Sequence, residues 1–218
     1  MDHPRQAFRR ELESIDAQSR RLFALVSEAV SAATDALLAR DAEAARAVIV
    51  DDAVIDAIQT DVEEAVEALL MLQQPFASDI NYLFTVMRIA PELERCGDLA
   101  EHIAQRADPA AMGEIPASLR GRFARMGELT SEMWRIVGDA WAEADPDAGT
   151  HLAERDDELD GLHRDLRDEL AEGGLPTADA IELALVGRFF ERLGDHAVTI
   201  ARRITLLRGR RPAHLEHD

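Results

Sequence analysis

Apolar residues recur along this chain at three- and four-residue steps, the spacing of a helix that buries one face. Phe8, Leu12, Ile15, Leu22, Val26, Ala29 and Ala33 form the first such seam. They predict one long helix over roughly residues 5–39. Asp41 is placed to cap the next helix, whose stripe is Val48, Ile55, Ile58, Val62, Leu69 and Leu72 before Pro75 interrupts it. A third seam runs through Val86, Ile89, Leu93, Cys96, Ala100 and Ile103, with Pro91 inside the pattern and predicted to kink it. Residues 108–118 read as a linker, rich in breakers: Asp108, Pro109, Gly113, Pro116 and Ser118. Then the pattern restarts. Leu119, Phe123, Met126, Leu129, Met133 and Ile136 mark a fourth helix, ended by Asp145-Pro146-Asp147. Leu152, Leu159, Leu162, Leu166 and Leu170 mark a fifth, broken at Gly173-Gly174 with Pro176 just beyond. Leu183, Val186, Phe190, Leu193, Ala197, Ile200, Ile204 and Leu207 mark a sixth. No segment alternates over a strand length between turn signals, so the fold class is all-α.

The two halves repeat. Glu94-Arg95-Cys96-Gly97-Asp98, followed by Ala100, Ile103 and Ala104, recurs 97 residues later as Glu191-Arg192-Leu193-Gly194-Asp195, followed by Ala197, Ile200 and Ala201. Upstream, Asp52-x-x-Ile55-Asp56 recurs 104 residues later as Asp156-x-x-Leu159-Asp160. The seven-residue difference predicts a shorter connection between helices five and six. An internal duplication accounts for the pattern. Short connections set consecutive helices side by side, so the expected architecture is two tandem antiparallel three-helix bundles, residues 1–110 and 111–218.

Composition narrows the function. Apolar residues make up 47% and charged residues 31% of the 218, which supports a packed core rather than disorder. Twenty-four Lys and Arg against 43 Asp and Glu leave a formal charge of −19. Such a surface repels phosphate backbones, so no nucleic-acid partner is expected. Stretches without charge read as too short or too polar to cross a bilayer, and no apolar signal core follows Arg5, Arg9 and Arg10. Cys96 is the single cysteine, which excludes an internal disulfide framework and favours a cytoplasmic location. The tail from Arg208 to Arg211 is basic and reads as solvated.

The chemistry lies in the repeated acids. A carboxylate, three residues and another carboxylate occur at four matched places: Asp52/Asp56, Glu94/Asp98, Asp156/Asp160 and Glu191/Asp195. A spacing of four puts both side chains on one helix face, about 5–6 Å apart at Cβ. Pairs from adjacent helices could converge into four carboxylates. Such a group needs protons, arginines or metal cations to be tolerable. Oxygen donors in that number suit magnesium, manganese or iron. The plain alternative is a solvated acidic face, since carboxylates are abundant here. Gly97 and Gly194 sit in helices at a cost of about 1 kcal/mol each, either as small residues in a crowded seam or because something approaches closely. His102 reads as a boundary residue, His163 as part of a weak Asp-x-x-His, and Cys96 as a small core residue. Arg95 and Arg192 point away from their glutamates toward other partners. No Gly-rich phosphate cradle and no Ser/His/Asp or Cys/His constellation occurs, which argues against an enzyme. The competing reading is a metalloenzyme, a hydrolase or oxidase using clustered metals.

At these motifs the chain resembles the PhoU family of phosphate-signalling regulators. The resemblance rests on Asp52 to Asp56, Gln74-Pro75-Phe76-Ala77-Ser78-Asp79, Glu94 to Asp98, Asp156 to Asp160 and Glu191 to Ala197, and covers nearly the whole length. It implies two similar three-helix bundles whose acidic motifs bind iron, zinc, manganese or magnesium. The implied ligands are Asp52, Asp56, Glu94, Asp98, Asp156, Asp160, Glu191 and Asp195. It also implies negative regulation of phosphate uptake through contacts with a sensor histidine kinase and the ATPase of a phosphate ABC transporter. The membrane would be met only through those partners, and a homodimer is common. Three positions depart from the family pattern: Asn81 where an arginine is usual, and His102 and Thr199 where an asparagine is usual. The last two imply that the two sites differ in affinity or preferred metal.

Overall fold

The computed structural model describes residues 4–72, 77–143, 145, 147–207, 212 and 215. They form six helices: α1 (Pro4–Ala39), α2 (Ala42–Leu72), α3 (Ala77–Gln105), α4 (Ala117–Glu143), α5 (Ala148–Ala171) and α6 (Thr177–Thr205). Each seam read from the sequence lies inward. Leu12, Ile15, Leu22, Val26 and Ala33 of α1 are buried, as are Val62 and Leu69 of α2 and Leu93 and Cys96 of α3. Asp41 caps α2 as expected, its Oδ1 accepting from the amides of Glu43 (2.9 Å) and Ala44 (3.0 Å). α3 continues through Pro91 as one helix. The interruption expected at Pro75 and the basic run Arg208 to Arg211 lie outside the described residues.

Helices α1–α3 pack on one another as one bundle and α4–α6 as a second. The bundles meet through α1 on α4 and α3 on α6, whereas α2 and α5 touch only their own bundle. Equivalent helices of the two halves thus meet at the joint. Trp134, Trp141, Tyr82, Phe123 and Phe190 are fully buried, and Trp141 packs on the rings of Phe23 and Tyr82 at 5.6 and 5.7 Å. Asp16, Ser19, Thr34 and Thr130 are matched inside this core, whereas Nε1 of Trp134 is enclosed without a hydrogen-bond partner. Asp16 accepts from the Tyr82 hydroxyl (2.8 Å) and from Arg20 (2.7 Å), while Ser19, Thr34 and Thr130 donate to the carbonyl four residues back, each at 2.8 Å.

One sequence expectation needs correction. The seven missing residues are not taken from the connection. Among the described residues, α5 is five residues shorter beyond Asp156 than α2 is beyond Asp52, and α6 is three shorter ahead of Glu191 than α3 is ahead of Glu94. The helices themselves were trimmed, which shortens the α5 arm by about 7 Å at 1.5 Å per residue. α1 is long and apolar enough, by length and composition, to cross a membrane, although Glu28 and Asp35 interrupt its apolar stretch. Its Leu22, Val26, Val30, Ala33 and Leu37 pack against protein.

The crossing of α1 on α4 depends on a missing side chain. A Cβ on Gly127 would lie 2.1 Å from Cγ2 of Thr34, and Thr34 is held in place by its bond to the Val30 carbonyl. Gly121, in the same helix, faces open space. Gly127→Ala is therefore expected to cost about 1–3 kcal/mol through overpacking. Gly121→Ala should gain about 0.5–1 kcal/mol through helix propensity. Urea denaturation midpoints of the two variants check the contrast.

Candidate metal centres

Each bundle places its acidic motifs on the facing sides of its second and third helices. α2 carries Asp52 and Asp56, and α3 carries Glu94 and Asp98. Leu93 and Ile55 beside them are buried in the seam, so the acids emerge at the flank where the helices touch. The close approach there requires Gly97: a Cβ at that position would sit 2.4 Å from Oδ1 of Asp52 and 3.1 Å from Cδ1 of Ile55. Of the two roles open to Gly97, the structure supports the close approach. Gly194 does the same in the second bundle, with Cδ2 of Leu159 at 2.6 Å and Oδ1 of Asp156 at 3.5 Å from its notional Cβ.

The first cluster gathers more charge than the motifs alone predicted. Carboxylate oxygens of Asp52, Asp98 and Glu101 lie within 4.8 Å of one another. Oδ1 of Asp52 is enclosed and has no hydrogen-bond partner. Burial, followed by the charges of Asp56, Asp98, Glu101 and Glu94, pushes the Asp52 carboxyl up to about 7. Glu94 is raised as well, by burial and then by Asp98 and Asp56, with Arg95 opposing. An enclosed anionic oxygen among other anions needs a proton or a cation nearby. Oxygen donors from two helices suit a hard cation. The residues present therefore fit a metal ion.

The second cluster is assembled differently. Asp156 is raised by burial, Asp160, Asp195 and Asp157, with Arg202 opposing. Glu191 is raised by burial and Asp195, but Arg188 pairs with its Oε1, leaving Oε2 enclosed without a partner. His163 is held below the ordinary histidine range by burial and by Arg167 and Arg188. The four acids predicted in each half thus come together within that half.

The other residues singled out from the sequence fall elsewhere. His102 stacks on Phe189 (5.4 Å between centroids) at the seam of α3 and α6, as a boundary histidine. Cys96 is fully buried, and burial pushes its thiol up. Arg95 lies 3.9 Å from Glu92 and away from Glu94. Glu92 in turn takes His196 Nδ1 at 2.7 Å and Arg203 at 3.4 Å across the bundle interface. Glu101 was missed by the sequence reading. It stands one turn past Asp98 on the same face, but its equivalent in the repeat is Val198, so a search for duplicated acids passes over it.

A PhoU domain model matches residues 19–107 and 123–204, once in each bundle. The chain is 33% identical over 205 residues to a phosphate-specific transport system accessory protein, PhoU homolog 2, of Mycobacterium tuberculosis, covering 92% of this chain and 95% of that one. PhoU homolog 1 of the same organism is 34% identical over 206 residues, covering 93% of each. Among solved structures, PhoU from Pseudomonas aeruginosa superposes with a TM-score of 0.85 at 28% identity over 93% of this chain and 99% of that one. The phosphate transport system regulatory protein PhoU from Streptococcus pneumoniae, at 24% identity and a TM-score of 0.81, covers 92% of this chain and 96% of its own.

The raised Asp52 fixes a pH dependence for the metal-free protein. Unfolded, its carboxyl titrates near 3.8; folded, near 7. Below the first value both states are protonated and Asp52 costs nothing. As pH rises toward the second, the unfolded chain ionises first and is favoured, and above it the destabilisation is complete. Metal-free Asp52→Asn is expected to melt above wild type at pH 8, with the gap narrowing steadily toward pH 5. Thermal melts in chelator across that range check the sign; a constant or widening gap would contradict it.

Proposed function

The chain belongs to the PhoU family, and from that premise we propose that it is a cytoplasmic, metal-binding negative regulator of phosphate uptake and phosphate-starvation signalling. The observation that carries this reading is the family match in both bundles, together with relatives named as accessory proteins of phosphate-specific transport over nearly their full length. Asp52, Asp56, Glu94 and Asp98, joined by Glu101, would hold one ion or cluster. Asp156, Asp160, Glu191 and Asp195 would hold the other. Iron, zinc, manganese and magnesium all suit these donors. Bound there, such an ion supplies the positive charge that the carboxylates lack.

The protein acts by docking rather than by turnover. Its partners are a sensor histidine kinase and the ATPase of a phosphate ABC transporter, and it works as a homodimer. A docked regulator shifts a partner only as far as it binds the inhibited state better than the active one. The bundle surface therefore has to discriminate between two partner conformations, and the paired helices supply a rigid face for that purpose.

Two measurements test the reading. Cells lacking this protein should express an alkaline phosphatase reporter of phosphate starvation even in phosphate-rich medium, and re-expression should silence it; a reporter indifferent to the protein would refute the regulatory role. Elemental analysis addresses the metal separately. Glu94→Gln with Asp98→Asn should lose metal while keeping a wild-type helical circular dichroism spectrum. Unchanged metal content would remove these residues from the ligand set.

A further inference from the structure

The two acidic clusters are related by duplication, yet their surroundings have diverged in a consistent direction. In the first, Asp52, Asp98 and Glu101 bring oxygens within 4.8 Å, with Asp56 and Glu94 adding their charges to the same group. None of these five is ion-paired to an arginine or lysine among the described residues; Arg95 is turned toward Glu92. Glu101 is instead held by a neutral donor, Nε2 of Gln105 at 2.9 Å.

In the second cluster three equivalent positions differ. The position of Glu101 is taken by Val198, which is buried. The position of Gln105 is taken by Arg202, whose charge acts on Asp156. Pro91, which carries no charge, is matched by Arg188, which binds Glu191. The first cluster thus gains a fifth carboxylate in Glu101 and meets an arginine only through the unpaired charge of Arg95 on Glu94, whereas the second has Arg188 paired to Glu191 and the charge of Arg202 on Asp156.

We propose that the first cluster is the tight cation site of this chain, with Glu101 as one of its ligands, and that the second is a weak site whose Glu191 is held by Arg188. The proposal rests on the reading of both clusters as metal sites. It goes beyond that reading by ranking the sites and naming the residues that rank them. Two observations besides the acids point to an ion at the first site, the enclosed, unpartnered Oδ1 of Asp52 and the glycine whose Cβ would press against it; the second site has its own pair in Oε2 of Glu191 and Gly194, so the ranking rests on Glu101 and Arg188. Affinity at oxygen-donor sites follows ligand charge count and rigidity. An ion entering the second site also meets the positive charge of Arg188, already paired with Oε1 of Glu191. These differences act in the same direction.

Manganese titration of the chelator-stripped full chain, with free Mn²⁺ read by electron paramagnetic resonance, tests the ranking. Wild type should show two classes of site separated by at least about tenfold, or 1.4 kcal/mol. Glu101→Gln should weaken the tight class by about tenfold and leave the weak class in place. Arg188→Gln combined with Val198→Glu should tighten the weak class and leave the tight one unchanged. Circular dichroism confirms that each variant is folded. If Glu101→Gln leaves the tight class as it was, or if wild type shows one class of equal sites, the ranking is wrong although metal binding stands. If no Mn²⁺ binds, and Zn²⁺ and Fe³⁺ followed by elemental analysis after gel filtration do not either, the metal reading falls and the ranking with it.

Discussion

The mutual repulsion of carboxylates confined between two closely packed helices is the constraint on which the rest of this structure turns. The apolar seams press α2 against α3 and α5 against α6, and Gly97 and Gly194 allow the backbones to come nearer than any side chain would permit. The acids cannot relieve their repulsion by drifting apart without opening the seam. The apolar core thus holds a charged site in an unfavourable state, a common way for a fold to sustain a functional group at a cost to stability. The enclosed Oδ1 of Asp52 is where that cost is most concentrated.

Duplication governs how the site is supported. α1 and α3 of one bundle face α4 and α6 of the other, so the outer helices α2 and α5 are each braced by a single bundle. The joint between bundles is itself polar at both ends. At one end Arg203 and His196 meet Glu92; at the equivalent place Arg106 lies over the ring of Phe189 at 5.1 Å and pairs with Glu182 at 2.9 Å. The same position is a carboxylate in one copy and an aromatic ring in the other, and an arginine satisfies both. Near the hinge between the halves, Arg40 adopts a left-handed φ of 56° and donates to the carbonyls of Gly113 and Met112, tying the α1–α2 turn to the linker.

Much of this was legible in the chain. Amphipathic spacing located six helices because each has one continuous buried stripe, and Asp41 announced a cap because its side chain has a single local use. The repeated acids were visible because both copies kept them. What escaped reading did so for physical reasons. Glu101 has no duplicate, so repetition could not expose it; only its place one turn beyond Asp98 could have. The arginines that offset the second cluster, Arg188 and Arg202, reach it from helical turns above and below, a relation that spacing shows only once the ligand face is known. The shortening of the second bundle was assigned to a loop because loops usually absorb length changes. Here residues are absent from the helix ends, five from α5 and three from α6, which leaves the remaining seam intact.

The unequal arms have a consequence for recognition. Two bundles related by an unbroken dyad would present the same outline in either direction, and a partner could seat itself both ways round. With the α2–α3 arm extending more than a helical turn further than the α5–α6 arm, the outline acquires a head and a tail. Shape by itself then selects a single orientation for whatever settles along it, before any charge or hydrogen bond is compared.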